Sequence, residues 1–460
     1  MDFEHKIITL KNQSDFFSSH NPIYISRAPG RIDLMGGNDD YTGGLVFEAT
    51  IAEATYAASQ LNHEMLVVLK NKNAQEAGWL GEYSIDINDL TDEIKVREIV
   101  NASPSVRWTA YVLGNIFYLK MKYPEQVNKG IRIYMESTVP LNRGVSSSAA
   151  IEVAVMKASA AAYGINLSGT QLALACQWVE NVIAESACGI MDQITVISGL
   201  KDYILPLVCQ PCNPEPLIKL PNDLKVWAID SGVSHQVSGI EYESARAAAF
   251  MGYKMICDNE NIEVIEQTEN DIKRFTDSKW NGYLANVSPS IFESHYRNIL
   301  PQRISGMEYI KNHSIHVDPF TQVRDDIHYN VLANTKYAVE ENNRVNVFSE
   351  LSRGASTQRA YSLMGELMYQ SHWGYTECGL GARATDILVG ICREAGINQG
   401  IYGAKITGGG AGGTVAILAD KNASAVIYEI FSSYKELNLG IPYLFEGSSD
   451  GADAYGIKII

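Results

Sequence analysis

Five of the six residues from Gly408 to Gly413 are glycine. A hairpin turn needs one or two, and every glycine gives up more backbone freedom on folding than any other residue. So dense a cluster implies something packed against bare backbone, with a phosphate or a substrate as the candidate. Apolar stretches at 400–407 and 414–418 flank it and read as strands, so the loop joins neighbouring strands.

A second loop of small residues, Pro140-Leu-Asn-Arg-Gly144-Val145-Ser146-Ser147-Ser148-Ala149-Ala150, runs directly into an Ala- and Met-rich helix predicted over 148–163 and stopped by Gly164. The unpaired N–H groups at a helix start point outward and favour an anion. Hydroxyls at that place can ligate a Mg²⁺ held by phosphates. A capped helix after a turn explains a serine triplet equally well, and the Gly-Lys-Ser/Thr ending of a P-loop is absent. Next come two acids, Glu180 on a helix predicted over 171–185 and Asp192 after a glycine-containing turn. Asp192 reads as a helix N-cap. Alternatively, the two acids are a metal-binding carboxylate and a carboxylate facing an acceptor hydroxyl. The fourth constellation is Arg27-Ala-Pro29-Gly30-Arg31-Ile-Asp33-Leu-Met-Gly36-Gly37-Asn38-Asp39-Asp40-Tyr41, where a strand meets a polar turn. Carboxylates and amides in that density suit the vicinal hydroxyls of a sugar.

The rest of the chain bounds these readings. Its 460 residues suffice for two domains, and 46% hydrophobic with 20% charged residues is ordinary globular composition. Strands are expected at 23–30, 45–52, 65–69, 130–135 and 225–230, with a helix at 108–121. The result is mixed α/β without a regular βαβ rhythm. Prolines 211, 214, 216 and 221 mark a linker, giving domains at 1–215 and 216–460. A polar stretch at 260–286 reads as a surface excursion. The charged start is not a signal peptide, and no apolar run is long enough for a membrane span. Seven cysteines in apolar contexts indicate reduced thiols and a cytoplasmic protein; Cys209 and Cys212 lack a second pair to complete a zinc site. A net charge of −16 argues against nucleic-acid or anionic-membrane partners.

The motifs, in this order, resemble the GHMP kinases: Ala28-Pro29-Gly30-Arg31 their first motif, Gly144–Ala150 their phosphate loop, and 407–413 their third. Within that family, Cys188-Gly189-Ile-Met-Asp192-Gln193, Trp108-Thr-Ala-Tyr111, Ile229-Asp230-Ser231 and Glu241-Tyr242 are similar to galactokinases. The resemblance runs from about residue 23 to the end. It implies a two-domain α/β (α+β) fold, with an N-terminal ribosomal-protein-S5-like domain and a C-terminal ferredoxin-like domain, using ATP with Mg²⁺. By resemblance, Asp192 faces the anomeric hydroxyl and Arg31 stabilises charge passing to the γ-phosphate. Ser148 and Glu180 hold Mg²⁺; Gly144, Val145, Ser146, Ser147, Ser148 and Ala149 wrap the phosphates; Trp108 and Tyr111 lie near adenine. The sugar would meet Gly37, Asn38, Asp40, Tyr41, Gly189, Asp192, Tyr242, Gly409 and Gly410.

The chain departs from galactokinases at Gly37-Asn38, where they carry Glu-His and the acid usually contacts the 6-hydroxyl of galactose. Met35-Gly-Gly37, Asp40-Tyr41, Gly239–Arg246, 375–381, 402–407 and 445–449 resemble the kinase region of plant L-arabinokinases. L-Arabinopyranose matches galactose at carbons 2, 3 and 4 and lacks carbon 6. The implied reaction is therefore ATP plus L-arabinose giving L-arabinose 1-phosphate and ADP. Galactokinase, galacturonokinase and a non-catalytic sugar sensor are the alternatives.

Overall fold

The computed structural model describes residues 3–167, 169–233, 239–269, 272–313, 315–354 and 356–460. Its first sheet is built on two long apolar strands. β1 (Tyr24–Met35) tolerates Pro29 and Gly30 because its register with the next strand shifts there, so no ladder bond is required of the proline. β2 (Leu45–Asn62) runs for 18 residues because no glycine or proline interrupts it. β3 (Leu66–Asn71), β4 (Glu82–Asp86) and β5 (Gly130–Ser137) extend the sheet in the order β1-β2-β5-β3-β4, and β6 (Tyr203–Val208) also pairs with β2. Only β3 and β5 pair in parallel among these strands. Four helices pack into the same core: α1 (Ala110–Lys122), α2 (Ser147–Ala162), α3 (Gly169–Trp178) and α4 (Met191–Ser198).

The helix expected over 171–185 is shorter than its apolar spacing suggested. α3 ends at Trp178, and a π-turn, Val179–Ile183, takes over and carries Glu180. The extra residue per turn rotates the chain locally, a device that often marks functional positions.

The short bridges at residues 213–214 and 218–219 still pair with β6, and the second sheet begins with β7 (Leu224–Asp230). Then follow α5 (Ile240–Asn259), α6 (Val331–Arg353), α7 (Gln358–Cys378), α8 (Arg383–Ala395), β8 (Ile401–Ile406), β9 (Thr414–Asp420), α9 (Ser424–Glu436) and β10 (Tyr443–Glu446). All pairings are antiparallel, in the order β8-β9-β7-β10. Counted along the chain this is strand order 4-1-3-2 with helices after the first and third strands, the ferredoxin-like arrangement. The final strand, β11 (Lys458–Ile459), returns to β1. The polar stretch at 260–286 contains a hairpin, Ile265–Glu269 with Ile272–Thr276; its residues 270 and 271 lie outside the described set. Among the described residues no helix is long and apolar enough to cross a membrane.

One apolar cluster takes Ile32, Phe47, Phe348, Met364, Met368 and Ala416 from both sheets and the helices between them. At its edge Lys405 Nζ on β8 lies 2.7 Å from Asp33 Oδ2 on β1, both side chains fully buried. Removing one partner of such a pair leaves a buried charge uncompensated. Lys405→Met is expected to cost about 3–5 kcal/mol of stability in a denaturant titration. An unchanged midpoint would show that the pair does not hold the sheets together.

Candidate active site

Arg31 is set on β1 with its side chain 3% exposed. Nη2 and Nε lie 2.7 and 2.8 Å from Asp192 Oδ1, and Nη1 donates to the Gly144 carbonyl at 2.7 Å. Its backbone N–H donates to the Val145 carbonyl. One guanidinium thus ties the acid to the small-residue loop. Asp192 is the second residue of α4, whose N-cap is Ile190. The N-cap reading is therefore corrected: its carboxylate turns to Arg31, not to the helix amides.

The loop enters α2 through Ser146, whose φ of 57° is left-handed and whose hydroxyl makes no capping bond. That hydroxyl is buried with no hydrogen-bond partner. A non-glycine residue held in this conformation stores strain, which clusters at ligand-binding places. The helix start therefore offers uncapped N–H groups to an anion. Arg143 and Gly144 are gripped from the second sheet: Arg143 pairs with Asp230 at 3.0 Å, and Thr414 Oγ1 donates to the Arg143 carbonyl at 2.7 Å.

A cavity of about 1180 Å³ opens along this seam. Trp79, Trp108 and Tyr111 line it, as do Gly144 and Ser146–Ser148; Glu180, Arg31, Asp192 and Gly409 also form part of its wall. The Trp108 indole donates to the Leu80 carbonyl at 2.9 Å, which leaves the ring's flat body as wall. Val145 and Ala149 pack into the apolar clusters instead.

The glycine cluster has another explanation than the expected ligand contact. A Cβ on Gly408 would stand 2.6 Å from the Gly144 carbonyl oxygen, one on Gly413 2.8 Å from that of Arg143, and one on Gly410 2.7 Å from that of Leu380. Bare backbone is needed because the loop lies on the backbone of the 140–144 loop and of Leu380. Of the two glycines expected at the sugar, Gly409 lines the cavity and Gly410 faces Leu380 and Tyr375.

Glu180 is 5% exposed and accepts hydrogen bonds from Ser148, Cys188 and Gln193 side chains; the Gln193 bond is 2.6 Å. Burial, and then the nearby Asp192 carboxylate, push its pKa up to about 7. A buried acid beside a hydroxyl in a polar cavity suits Mg²⁺. Among the described residues no group of three His, Cys, Asp or Glu side chains could hold a metal. This donor set therefore fits an ion most of whose ligands come with a nucleotide's phosphates.

On the other side of Asp192 stands Asp40, 4% exposed. Its carboxylate accepts from the Tyr41 N–H at 2.9 Å and lies so close to Gly189 that a Cβ there would be 1.8 Å from Oδ2. Asn38 accepts from the Tyr41 hydroxyl at 2.6 Å, and the Tyr41 and Tyr242 rings meet edge to face at 5.9 Å. The Gly37 carbonyl accepts from the Tyr337 hydroxyl at 2.8 Å. Of the residues expected at the acceptor, Asp192 lines the large cavity, whereas Asp40, Tyr41 and Gly189 line a second one together with Arg246, which stacks on Tyr41 and pairs with Asp318 at 2.7 Å; Gly37, Asn38 and Tyr242 line neither. The sequence reading missed Trp79 and Tyr337, which are far from the motifs, and Glu48, which sat within an apolar run; Tyr375 opened the 375–381 segment but was given no role.

Against known families, residues 110–200 match the GHMP kinases N terminal domain and 352–436 the GHMP kinases C terminal domain; 13–61 match the galactokinase galactose-binding signature. The chain carries both domains of the GHMP kinases. L-arabinokinase of Arabidopsis thaliana is 34% identical over 97% of this chain, which spans 47% of that relative's length. Galactokinase of Chloroflexus aurantiacus is 26% identical over 94% of this chain and 93% of its own. The fold of Lactococcus lactis galactokinase, solved with galactose, superposes with a TM-score of 0.74 at 20% identity, covering 98% of both chains. A mevalonate kinase structure superposes at 0.55 with 16% identity, covering 93% of this chain and 99% of its own. The GHMP kinase architecture expected from the motifs is the one observed.

Burial, then the Asp192 charge, raise the Asp40 pKa from 3.8 to about 6. The folded protein then keeps a proton that the unfolded chain has released, so stability falls as pH rises through that window. Asp40→Asn should relieve this loss, gaining up to about 3 kcal/mol relative to wild type between about pH 4 and pH 7 in paired thermal melts. An equal offset at both pH values contradicts it.

Proposed function

We propose that this GHMP kinase is an ATP-dependent sugar 1-kinase, with L-arabinose as its preferred acceptor. The observation that carries the kinase reading is the Arg31 fork, which joins an acid to an anion-binding helix start across one cavity. ATP would lie with its base between Trp79, Trp108 and Tyr111 and its phosphates over Ser146–Ser148. Ser148 and Glu180 would hold Mg²⁺, which supplies charge neutralisation at the β- and γ-phosphates when bound. Asp192 orients the anomeric hydroxyl and takes its proton as the oxygen bonds the γ-phosphorus. The bond to the bridging oxygen breaks, and ADP leaves with that electron pair. Arg31, touching both Asp192 and the phosphate loop, stabilises the charge that passes between them. Free thiols at all seven cysteines fit a cytoplasmic enzyme.

The pentose reading rests on Gly37 and on the similarity to L-arabinokinase. The missing side chain leaves no hole. A Cβ at 37 would stand 1.9 Å from Asp33 Oδ2 and 2.2 Å from the Tyr375 hydroxyl, so protein already fills that place. The Asp33 oxygen there is committed to Lys405, leaving the wall without a carboxylate reaching outward from position 37. The second reading, galactokinase, is favoured by the match of residues 13–61 and by the similar galactokinases.

ADP release measured with equal L-arabinose, D-galactose and D-galacturonate is expected to be fastest with L-arabinose. Preference for either other sugar would keep the kinase and overturn the pentose. Asp192→Asn should lower kcat by about 10²–10⁴-fold without unfolding the chain; wild-type turnover in that variant would remove Asp192 from the chemistry. Gly37→Glu, which has to displace Asp33, is expected to cost about 1–3 kcal/mol of stability and not to create a galactokinase. Efficient galactose turnover in Gly37→Glu would show that the wall is adaptable.

A further inference from the structure

Behind Arg31 lie two carboxyls that the transfer chemistry does not use. Asp33 on β1 and Glu48 on β2 are register partners, directly opposite each other on one face of the sheet. Both are fully buried. Asp33 Oδ1 and both Glu48 oxygens have no hydrogen-bond partner, whereas Asp33 Oδ2 is held by Lys405 at 2.7 Å. Glu48 approaches Arg31 Nε only to 3.5 Å, a place already taken by Asp192 at 2.8 Å. Two ionised carboxylates with three of their four oxygens unpartnered would be costly in so dry a place.

We infer that Glu48 is a positioning residue that carries a proton at neutral pH and donates it to the free oxygen of Asp33. One proton then satisfies Asp33 Oδ1 and one Glu48 oxygen, as an O–H···O⁻ hydrogen bond. It also balances the cluster. Arg31 and Lys405 supply two positive charges; Asp33 and Asp192 answer them, and Glu48 stays neutral. Burial and then the Asp33 charge push the Glu48 pKa well up, in the same direction. The groups facing the pair from other elements are otherwise engaged. On α6, Glu341 accepts from the Gly36 N–H, the Ser371 hydroxyl and Arg344. On α7, the Tyr375 hydroxyl donates to the Gly408 carbonyl, and burial with Lys405 nearby lowers His372 to about 4, leaving it neutral. The consequence is for Arg31: an ionised Glu48 would draw its Nε away from Asp192, and a protonated one fills the space behind it without competing.

This rests on the reading of Arg31 and Asp192 as the transfer site, but its first test needs no substrate. The infrared difference spectrum of wild type minus Glu48→Gln at neutral pH should show the carbonyl stretch of a buried carboxylic acid. Asp33→Asn, which removes the acceptor's charge and with it the partner of Lys405, should shift or abolish that band, and this serves if Glu48→Gln fails to fold. Absence of the band, or a band unmoved by Asp33→Asn, overturns the inference whatever sugar is phosphorylated. In turnover, Glu48→Ala is expected to lower kcat about tenfold or more, Glu48→Gln to restore it to within about threefold, and the Gln variant to lose the wild-type decline at alkaline pH. A folded Glu48→Gln that falls about a hundredfold would mean the ionised carboxylate is required, and would also overturn it.

Discussion

The hydrogen bonds of the Arg31 guanidinium are the interaction on which the rest of the molecule depends. Its three nitrogens reach Asp192 on one side and the Gly144 carbonyl on the other. A planar fork with fixed donor directions can join two groups at a set separation, which a lysine's single ammonium cannot. For the fork to stay rigid, Arg31 must be buried, and burying it requires counter-charges. Asp192 supplies one, Glu48 stands behind, and the Asp33–Lys405 pair continues the network into the second sheet.

Seen this way, the two domains are joined by polar chemistry as much as by apolar packing. β8 delivers Lys405 to Asp33, and the Thr407 hydroxyl accepts from the Asp33 N–H at 2.7 Å. The glycine loop that follows lies on the backbone of residues 143 and 144. Ser231 N–H donates to the Gly413 carbonyl at 2.9 Å, fixing the loop's far end to the end of β7. The small-residue loop of one domain is therefore shaped by the other, so neither half alone would present the helix start in this geometry.

How much of this was legible depended on range. The starts of the two long strands, the loop running into α2 and the β8–loop–β9 unit were readable because local apolar period and turn chemistry decide them, whereas the continuation of β1 past Pro29-Gly30 to Met35 and of β2 to Asn62 was not. The acids at 180 and 192 were readable as candidates, but their settings were not. Nothing local announces that α3 passes into a π-turn at Val179, or that Asp192 turns from its own helix to an arginine 161 residues away. The glycine cluster was readable as backbone needing close approach; that the 140–144 loop and Leu380 approach it, with Gly409 left facing the cavity, was not. Glu48 was invisible for a different reason. In the run Leu45-Val-Phe-Glu-Ala-Thr it looks like one polar residue in a strand, and only the register opposite Asp33 shows it to be half of a buried pair.

The measurement that tests the central claim most directly is proton-coupled phosphorus NMR of the purified product of ATP, Mg²⁺ and L-arabinose with the enzyme. A sugar monophosphate whose phosphorus is split by the single proton on carbon 1, formed in step with ADP, is the result expected of an anomeric kinase built around Arg31 and Asp192. Phosphate found on another carbon, or only inorganic phosphate beside ADP, would contradict it.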